Sequence, residues 1–175
     1  MPPPPSPYDA IRTISYGVAW IALPATLQQH VPGQFGGVPI DLREIDDPAL
    51  AQWDSNWRGH HPWDWRRIDK YYKTLLDNRF EVAVWSGSVL CGLAAGAPGS
   101  GFMEVRLMQG SPDNQHPLKG AVRFAVLEAA RAYTLALGDR ELRLNLPDRG
   151  LLTKYQQMGF TLVPALHPYC WMSVP

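Results

Sequence analysis

The sequence predicts one α/β domain in which helices flank a mixed, mostly antiparallel central sheet. Three observations support this. The chain has 175 residues, 46% of them hydrophobic and 18% charged, which suits one domain with a proper core. Strand-like segments joined by a tight turn occupy the middle of the chain. Helical and strand-like segments then alternate to the C-terminus, as expected for helices that cover a sheet.

Residues 1–37 are predicted to form an extension that precedes the domain. Its proline-rich start, residues 2–7, favours an extended conformation, and residues 8–30 show an apolar, partly helical pattern. The turn-rich stretch 31–37, VPGQFGG, is a joint between extension and domain. We therefore place the domain at residues 38–175 and expect the extension to cap a core edge or to pair two subunits.

The domain is predicted to begin with one strand and two helices. Residues 38–45 alternate well enough for a strand, and Asp46, Asp47 and Pro48 are typical of a helix start. A second helix is expected between residues 63 and 76.

A hairpin and a third strand follow. Residues 80–85 and 88–95 are strand-like, and Ser86-Gly87 between them has the length and residue type of a tight turn. Residues 103–108 should add a third strand to the same sheet. This meander makes the sheet mostly antiparallel.

The second half alternates helix and strand. Residues 118–137 place apolar side chains on one helical face and stop at Gly138, a good helix C-cap. Residues 142–146, 160–163 and 169–174 are predicted strands, and residues 150–158 a helix.

Charge and cysteine content exclude several classes of function. Sixteen basic residues balance sixteen acidic ones, which argues against general nucleic-acid binding. The uncharged apolar stretch 17–25 is too short to span a bilayer, so we expect no membrane association. Cys91 and Cys170 lie in apolar surroundings typical of reduced thiols, and we expect a soluble, cytoplasmic protein.

Metal binding is not expected. The neighbouring side chains of His60 and His61 diverge, and no cysteine or carboxylate lies at a recognised ligand spacing from them.

Two motifs in the second half carry the functional argument. Residues 148–160, DRGLLTKYQQMGF, combine a helix, a tyrosine near its end and a Gly-Phe pair that ends it. Residues 115–121, QHPLKGA, lie between a strand and a long helix. Together they resemble the two signatures of the Gcn5-related N-acetyltransferase (GNAT) family. The resemblance is close over the second half of the chain and loose over the first.

The resemblance implies an acetyl-CoA site. In this family a loop with two glycines binds the pyrophosphate through backbone N–H groups at a helix N-terminus. Gln115 and Gly120 match the loop, but Leu118 replaces its first glycine, and we expect this side chain to narrow the cradle. Lys119 and Ala121, with Gly120, are the other candidate cofactor residues.

Further cofactor contacts follow from the same resemblance. The strand residues Leu107, Met108 and Gln109 are expected to present backbone groups to the pantetheine arm, and Asp148 begins the second signature.

Two residues are candidates for proton transfer. Tyr155 matches the family tyrosine near the cofactor sulfur, which makes it the candidate general acid. The alternative is a core tyrosine whose hydroxyl is bonded to backbone. Glu104 lies where some members carry a general base, or it simply pairs with Arg106 on the same strand face.

The amine acceptor is expected between the first two helices. Four tryptophans lie within thirteen residues there, at positions 53, 57, 63 and 65. Trp57 and Trp63 form a candidate aromatic wall. Asp64, or alternatively Asp54, is a candidate partner for a cationic amine, and Arg66 or Arg67 for a carboxylate or phosphate. The alternative for at least two tryptophans is helix packing or subunit contact.

We therefore predict an N-acetyltransferase that moves an acetyl group to a primary amine by direct attack in a ternary complex. The alternative is a GNAT-fold binding or regulatory module without turnover. A third possibility is an acyltransferase for longer thioesters. The acceptor is a small molecule or a protein amine, and homodimerisation through the aromatic segment or the last strands is a further expectation.

Overall fold

The computed structural model describes residues 6–175 and contains seven strands and five α-helices. The strands are β1 Asp41–Arg43, β2 Phe80–Ser86, β3 Val89–Pro98, β4 Phe102–Gly110, β5 Glu141–Asn145, β6 Thr161–Val163 and β7 Tyr169–Ser173. The helices are α1 Pro7–His30, α2 Asp47–Asn56, α3 Trp65–Leu75, α4 Val122–Ala136 and α5 Leu152–Gln157, the last preceded by a 3₁₀ turn Arg149–Leu151.

The strands form one sheet in the order β1-β2-β3-β4-β5-β7-β6. Every neighbouring pair is antiparallel except β4 and β5, which run parallel. The parallel pair needs a crossover, which α4 supplies. The predicted mixed, mostly antiparallel sheet flanked by helices is confirmed.

Most predicted elements are present, with changes at their ends. The β2–β3 hairpin turns at Gly87, whose φ of 58° suits glycine. Asp46 caps α2 through its Oδ1, which accepts from the Ala49 N–H at 2.9 Å. The strand predicted at residues 38–45 is only three residues long, because only residues 41–43 pair with β2.

Helices cover both faces of the sheet. On one face, α1 and α4 pack over apolar side chains of the strands, including Val82, Val84 and Val105. On the other face, α2 and α3 pack over Ala83, Leu93 and their neighbours. We call these the α4 face and the α3 face. The central strands are therefore covered by α1 and α4 on one face and by α2 and α3 on the other.

Helix α1 belongs to the core of the α4 face. Its buried stripe includes Ala19, Leu23 and Leu27. Buried Arg12 donates from Nη1 to the backbone oxygens of Asp77 and Arg79, each at 3.1 Å, which fixes the helix to the chain before β2. The division of the chain at residue 37 stays a prediction, although this helix is packed against the strands.

The opposite side of α1 is apolar and exposed. Ile14, Val18, Trp20 and Ile21 are each at least half exposed. By length and composition α1 is the one helix in the described part of the chain that could cross a bilayer, yet its other side is packed in the core. The expectation of no membrane association stays a prediction, as does homodimerisation.

The proline-rich start lies mostly outside the described residues, which begin at Ser6. Ser6 caps α1 by accepting from the Tyr8 N–H at 3.1 Å, and Pro7 is the first residue of the helix. The extended conformation predicted for residues 2–7 therefore does not hold at Pro7, because a proline suits the first turn of a helix.

The helix predicted at residues 118–137 begins later, at Val122. Residues 116–121 instead form two successive turns, in which Lys119 N–H donates to the His116 oxygen and Ala121 N–H to the Leu118 oxygen. Gly120, with a φ of 90°, prevents the helix from starting earlier. The predicted stop at Gly138 is confirmed by its φ of 81° and its bond to Leu135.

Candidate active site

The sheet opens between β4 and β5. Their pairing ends at Val105 and Leu144, although β4 continues to Gly110. After Asn145 the chain turns away at Leu146, whose φ of 44° is the only positive value at a non-glycine residue among residues 6–175. The end of β4 therefore has no strand partner on this side. Its edge lines a cavity of about 780 Å³.

A β-bulge at Arg106 sets the direction of side chains along this edge. Against β3, Ala95 pairs with Leu107 and Gly96 with Val105, so Arg106 is an extra residue. The alternation of side chains is thereby interrupted. Val105 and Met108 both contact the core of the α4 face, whereas Leu107 packs on the α3 face.

The cavity extends through the opening and is lined from both faces of the sheet. His61, Trp63 and Tyr72 line it on the α3 face. Loop residues Lys119 and Gly120 and the first turn of α4 line it on the other. Two ligands that approach from opposite faces would meet at the edge of β4.

The N-terminus of α4 has the features of a phosphate site. The backbone N–H groups of Gly120, Val122 and Arg123 have no hydrogen-bond acceptor within residues 6–175. The helix has fifteen residues, and its aligned peptide dipoles favour an anion at this end. Lys119 and Arg123 add positive charge beside these groups.

Two buried nitrogens at this end have no hydrogen-bond partner within residues 6–175. They are Nε of Arg123 and Nδ1 of His116, and both side chains line the cavity. Burial is the main reason that the pKa of each group is lowered from its usual value. Because buried polar atoms are normally bonded, the Arg123 Nε donor fits a polyanionic ligand such as the diphosphate of coenzyme A, and His116 offers a second polar atom beside it.

Leu118 does not narrow this cradle, contrary to the prediction. Its side chain is fully buried in the core of the α4 face and does not line the cavity. The first glycine of the family loop is replaced by a leucine whose side chain points away from the site, so the backbone N–H groups stay accessible.

Tyr155 lines the cavity from α5. Its ring packs edge-on against Phe160, with centroids 6.1 Å apart. Its hydroxyl forms no hydrogen bond within the described residues, whereas the hydroxyls of Tyr16 and Tyr133 donate to backbone oxygens. Burial raises the pKa of Tyr155, and the charge of Arg123 opposes that rise. A protonated hydroxyl without a partner is suited to donate a proton in the cavity.

Glu104 forms the ion pair that was the alternative to a general base. Its Oε1 accepts from Nε of Arg106 at 3.0 Å. Glu104 does not line the cavity, whereas Arg106 does. The carboxylate therefore orients the arginine.

The other predicted cofactor residues divide into two groups. Leu107, Met108, Lys119, Gly120 and Asp148 line the cavity. Three others do not line it: Gln109, Gln115 and Ala121.

Local contacts explain the positions of four of these residues. The side chain of Gln109 is buried, and its Oε1 accepts from Nε1 of Trp65 at 2.7 Å. Ala121 packs in the core, and Gln115 is an exposed turn residue. Asp148 caps the 3₁₀ turn, because its Oδ1 accepts from the Gly150 N–H at 2.7 Å.

Only Trp63 of the predicted acceptor residues lines the cavity. Trp57 is buried in the core of the α3 face. Asp64 caps α3 by accepting from the Arg67 N–H at 3.2 Å, and Arg66 pairs with Asp54 outside the cavity. The packing role predicted for at least two tryptophans is confirmed, since Trp53 and Trp65 are buried in the same cluster.

Sequence reasoning missed seven polar residues that line the cavity: His61, Tyr72, Arg106, Ser111, His116, Arg123 and Asn145. His116 lies inside the loop motif, and Arg123 is the second residue of α4, so helix N-terminal position was an available signal for the latter. Within the described residues, no group of three histidine, cysteine or acidic side chains could hold a metal ion.

No family model and no curated protein sequence matches the chain. Solved structures do match its fold. Ard1 from Thermoplasma volcanium has a TM-score of 0.60 at 12% identity, with 79% of this chain and 99% of that chain covered. Spermidine N-acetyltransferase from Vibrio cholerae, in complex with CoA and spermine, has a TM-score of 0.60 at 15% identity over 77% and 95%.

A third match has a ligand that suits the cradle described above. The N-acetyltransferase PseH from Campylobacter jejuni, in complex with acetyl coenzyme A, has a TM-score of 0.57 at 14% identity over 78% and 100% of the chains. At these identities the likeness concerns the fold. The chain has the fold of the GNAT N-acetyltransferases.

Proposed function

We propose that the protein is an acetyl-CoA-dependent N-acetyltransferase that acts on a primary amine in the cytoplasm. The observation that carries the proposal is the cavity at the β4–β5 opening, where a helix N-terminus with free N–H groups and a tyrosine hydroxyl without a partner line the same space. The GNAT fold and the neighbours crystallised with CoA or acetyl-CoA support it. The buried free thiols of Cys91 and Cys170, whose pKa values burial raises, suit a reducing compartment.

The residues at the N-terminus of α4 would hold the diphosphate. The N–H groups of Gly120, Val122 and Arg123 donate to its oxygens, with the charges of Lys119 and Arg123 beside them. Bound acetyl-CoA supplies a thioester, whose acetyl group is activated for attack by an amine. The free edge of β4 at Leu107 and Met108 can donate and accept backbone hydrogen bonds along the pantetheine arm.

Tyr155 supplies a proton to the leaving sulfur. The amine nitrogen would bond to the acetyl carbon while the carbon–sulfur bond breaks, and the surplus proton of the amine would return through water to the Tyr155 oxygen, which restores the hydroxyl. Glu104 does not line the cavity, so we assign it to positioning Arg106. The regulatory-module alternative rested on Leu118 in the loop and on the atypical N-terminal extension, and it loses the first support because Leu118 points into the core.

The test is calorimetric titration with acetyl-CoA, followed by transfer rates with a panel of primary amines for wild type and Tyr155→Phe. We expect micromolar binding, and a transfer rate lowered at least tenfold in the variant with nearly unchanged acetyl-CoA affinity. Tyr133→Phe is the matched control, because the Tyr133 hydroxyl donates to the Asn78 oxygen and is remote from the reaction.

Each failure has a distinct meaning. No binding at millimolar acetyl-CoA would contradict the proposed function. Binding with a Tyr155→Phe rate equal to wild type would remove Tyr155 from the mechanism and leave the function standing.

A further inference from the structure

The end of the cavity on the α3 face is built from aromatic groups and one arginine. His61, Trp63, Tyr72 and Arg106 line it there. The rings of His61 and Trp63 have centroids 4.1 Å apart, and Trp63 meets Trp65 edge-on at 6.3 Å. Because the α4 face has the features of a phosphate site, this end is the one left for the amine acceptor.

Among the residues that line the cavity on the α3 face, Arg106 is the charged one, and its partner Glu104 lies outside the lining. The acidic residue that lines the described cavity is Asp148, and it caps the turn after β5. Arg106, Lys119 and Arg123 also line the cavity. A polycationic acceptor would find no carboxylate in the cavity lining on the α3 face that is free to bind it.

The Arg106 guanidinium is held in place for a ligand. The bulge makes Arg106 an extra residue of β4, and Glu104 fixes its Nε at 3.0 Å. One of the five N–H donors of the guanidinium is used in that bond, and the group is 39% exposed. The buried Tyr72 lies beside it, since Arg106 lowers the pKa of the Tyr72 hydroxyl against the larger effect of burial.

We propose that the acceptor is an amine that carries a carboxylate, which binds Arg106, and an aromatic or apolar body, which packs on Trp63. The proposal rests on the proposed function and names the substrate class for the same site. A planar guanidinium binds a carboxylate through two hydrogen bonds, and the ligand's negative charge then offsets that of the cation.

The test compares matched acceptors that differ only in the carboxylate. Transfer rates are measured with L-phenylalanine and phenethylamine, and with spermidine as the polycation, at saturating acetyl-CoA. We expect kcat/KM for L-phenylalanine to exceed that for phenethylamine about tenfold or more, and spermidine to be the poorest. Arg106→Gln should remove most of this preference by raising KM for the amino acid, with acetyl-CoA affinity unchanged.

Two further variants test whether Glu104 acts by positioning Arg106. Glu104→Gln should raise KM for L-phenylalanine and leave phenethylamine nearly unaffected, as expected of a positioning residue. Arg43→Gln is the matched control, because Arg43 Nε likewise bonds to an acidic residue two positions away, Asp41, on a strand remote from the cavity. The Arg43→Gln variant should prefer L-phenylalanine over phenethylamine as strongly as wild type does. Thermal unfolding is used to check that each variant is folded.

The inference and the proposed function fail in different ways. Equal or better transfer to phenethylamine or spermidine overturns the acceptor class while the acetyltransferase stands. If acetyl-CoA binds but none of the three amines is acetylated, calorimetry of the CoA-saturated protein with N-acetyl-L-phenylalanine and N-acetylphenethylamine decides. The proposal is supported if N-acetyl-L-phenylalanine binds more tightly and Arg106→Gln abolishes this preference. Equal binding of the two compounds, or no binding of either, overturns it.

Discussion

At the scale of single residues, buried tyrosines in this protein differ in whether their hydroxyl forms a hydrogen bond. Three tyrosines show the contrast. Tyr16 and Tyr133 donate their hydroxyls to backbone oxygens at 2.6 and 2.9 Å, whereas the Tyr155 hydroxyl has no partner in the described chain and lines the cavity. The first arrangement stabilises the fold, and the second leaves a proton for chemistry.

The bonded tyrosines make stability depend on alkaline pH. Burial raises the pKa of Tyr133 to about 12 from its usual 10.0. The folded state therefore holds this proton more tightly than the unfolded state. The resulting stability is fully present below pH 10 and is lost as pH rises through about 12. Burial also raises the pKa of Tyr16, so part of the loss belongs to that residue.

Tyr133→Phe tests this assignment. Below pH 10 we expect the variant to be less stable than wild type by about 1 kcal/mol, because the bond to Asn78 is lost. The difference should shrink between pH 10 and 12, since phenylalanine has no proton to lose. The measurement is urea unfolding at pH 8, 10 and 11.5. A constant difference across this range would assign the alkaline loss to other groups.

At the scale of elements, two glycines of β3 allow close contacts, one with a helix and the other with the neighbouring strand. A Cβ on Gly92 would lie 2.3 Å from Cγ1 of Val122, at the start of α4. A Cβ on Gly96 would lie 2.0 Å from the backbone oxygen of Glu104, beside the bulge. A side chain can be shortened or shifted, but the backbone of β4 cannot move without a change in strand pairing.

Alanine at the two positions should therefore behave differently. Gly92→Ala is expected to cost about 1–3 kcal/mol, with part of the loss restored by Val122→Ala. Gly96→Ala should cost about 3 kcal/mol or more, and no side-chain truncation should rescue it. Chemical unfolding of the single and double variants measures both. A Gly96→Ala variant within 0.5 kcal/mol of wild type would show that the strands separate easily there.

Local patterns predicted most elements, and long-range contacts explain what they missed. The β2–β3 hairpin follows from a turn and two neighbouring runs of residues, so its prediction needed no tertiary information. The bulge at Arg106 depends on its pairing with β3, and the side-chain direction of Leu118 depends on the core beneath the loop. The cavity residues Tyr72 and Arg106 are 34 positions apart, which no short motif could connect.

At the scale of the whole molecule, the cavity is lined by residues from the sheet and from the helices on both of its faces. A ligand that bonds to α4 and to the free edge of β4 should stabilise the folded state. At acetyl-CoA concentrations 100 times Kd, the gain is about 2.7 kcal/mol. For a chain of this size we expect Tm to rise by roughly 5–10 °C.

Arg123→Gln tests where that stabilisation comes from. We expect a smaller rise in Tm at the same acetyl-CoA concentration, because a charged partner of the diphosphate is lost. Arg131→Gln is the control on the same helix, since Arg131 pairs with Glu128 and does not line the cavity. Equal rises in both variants would argue against binding at the N-terminus of α4.

The opening between β4 and β5 also affects the order in which substrates bind and products leave. Because the cavity is lined from both faces, a donor seated against α4 does not obstruct an acceptor that arrives beside α3. Likewise, the product on one face can leave while the product on the other face is still bound. Such an enzyme would show no compulsory order of addition, and each product would inhibit competitively against the substrate from its own side of the sheet.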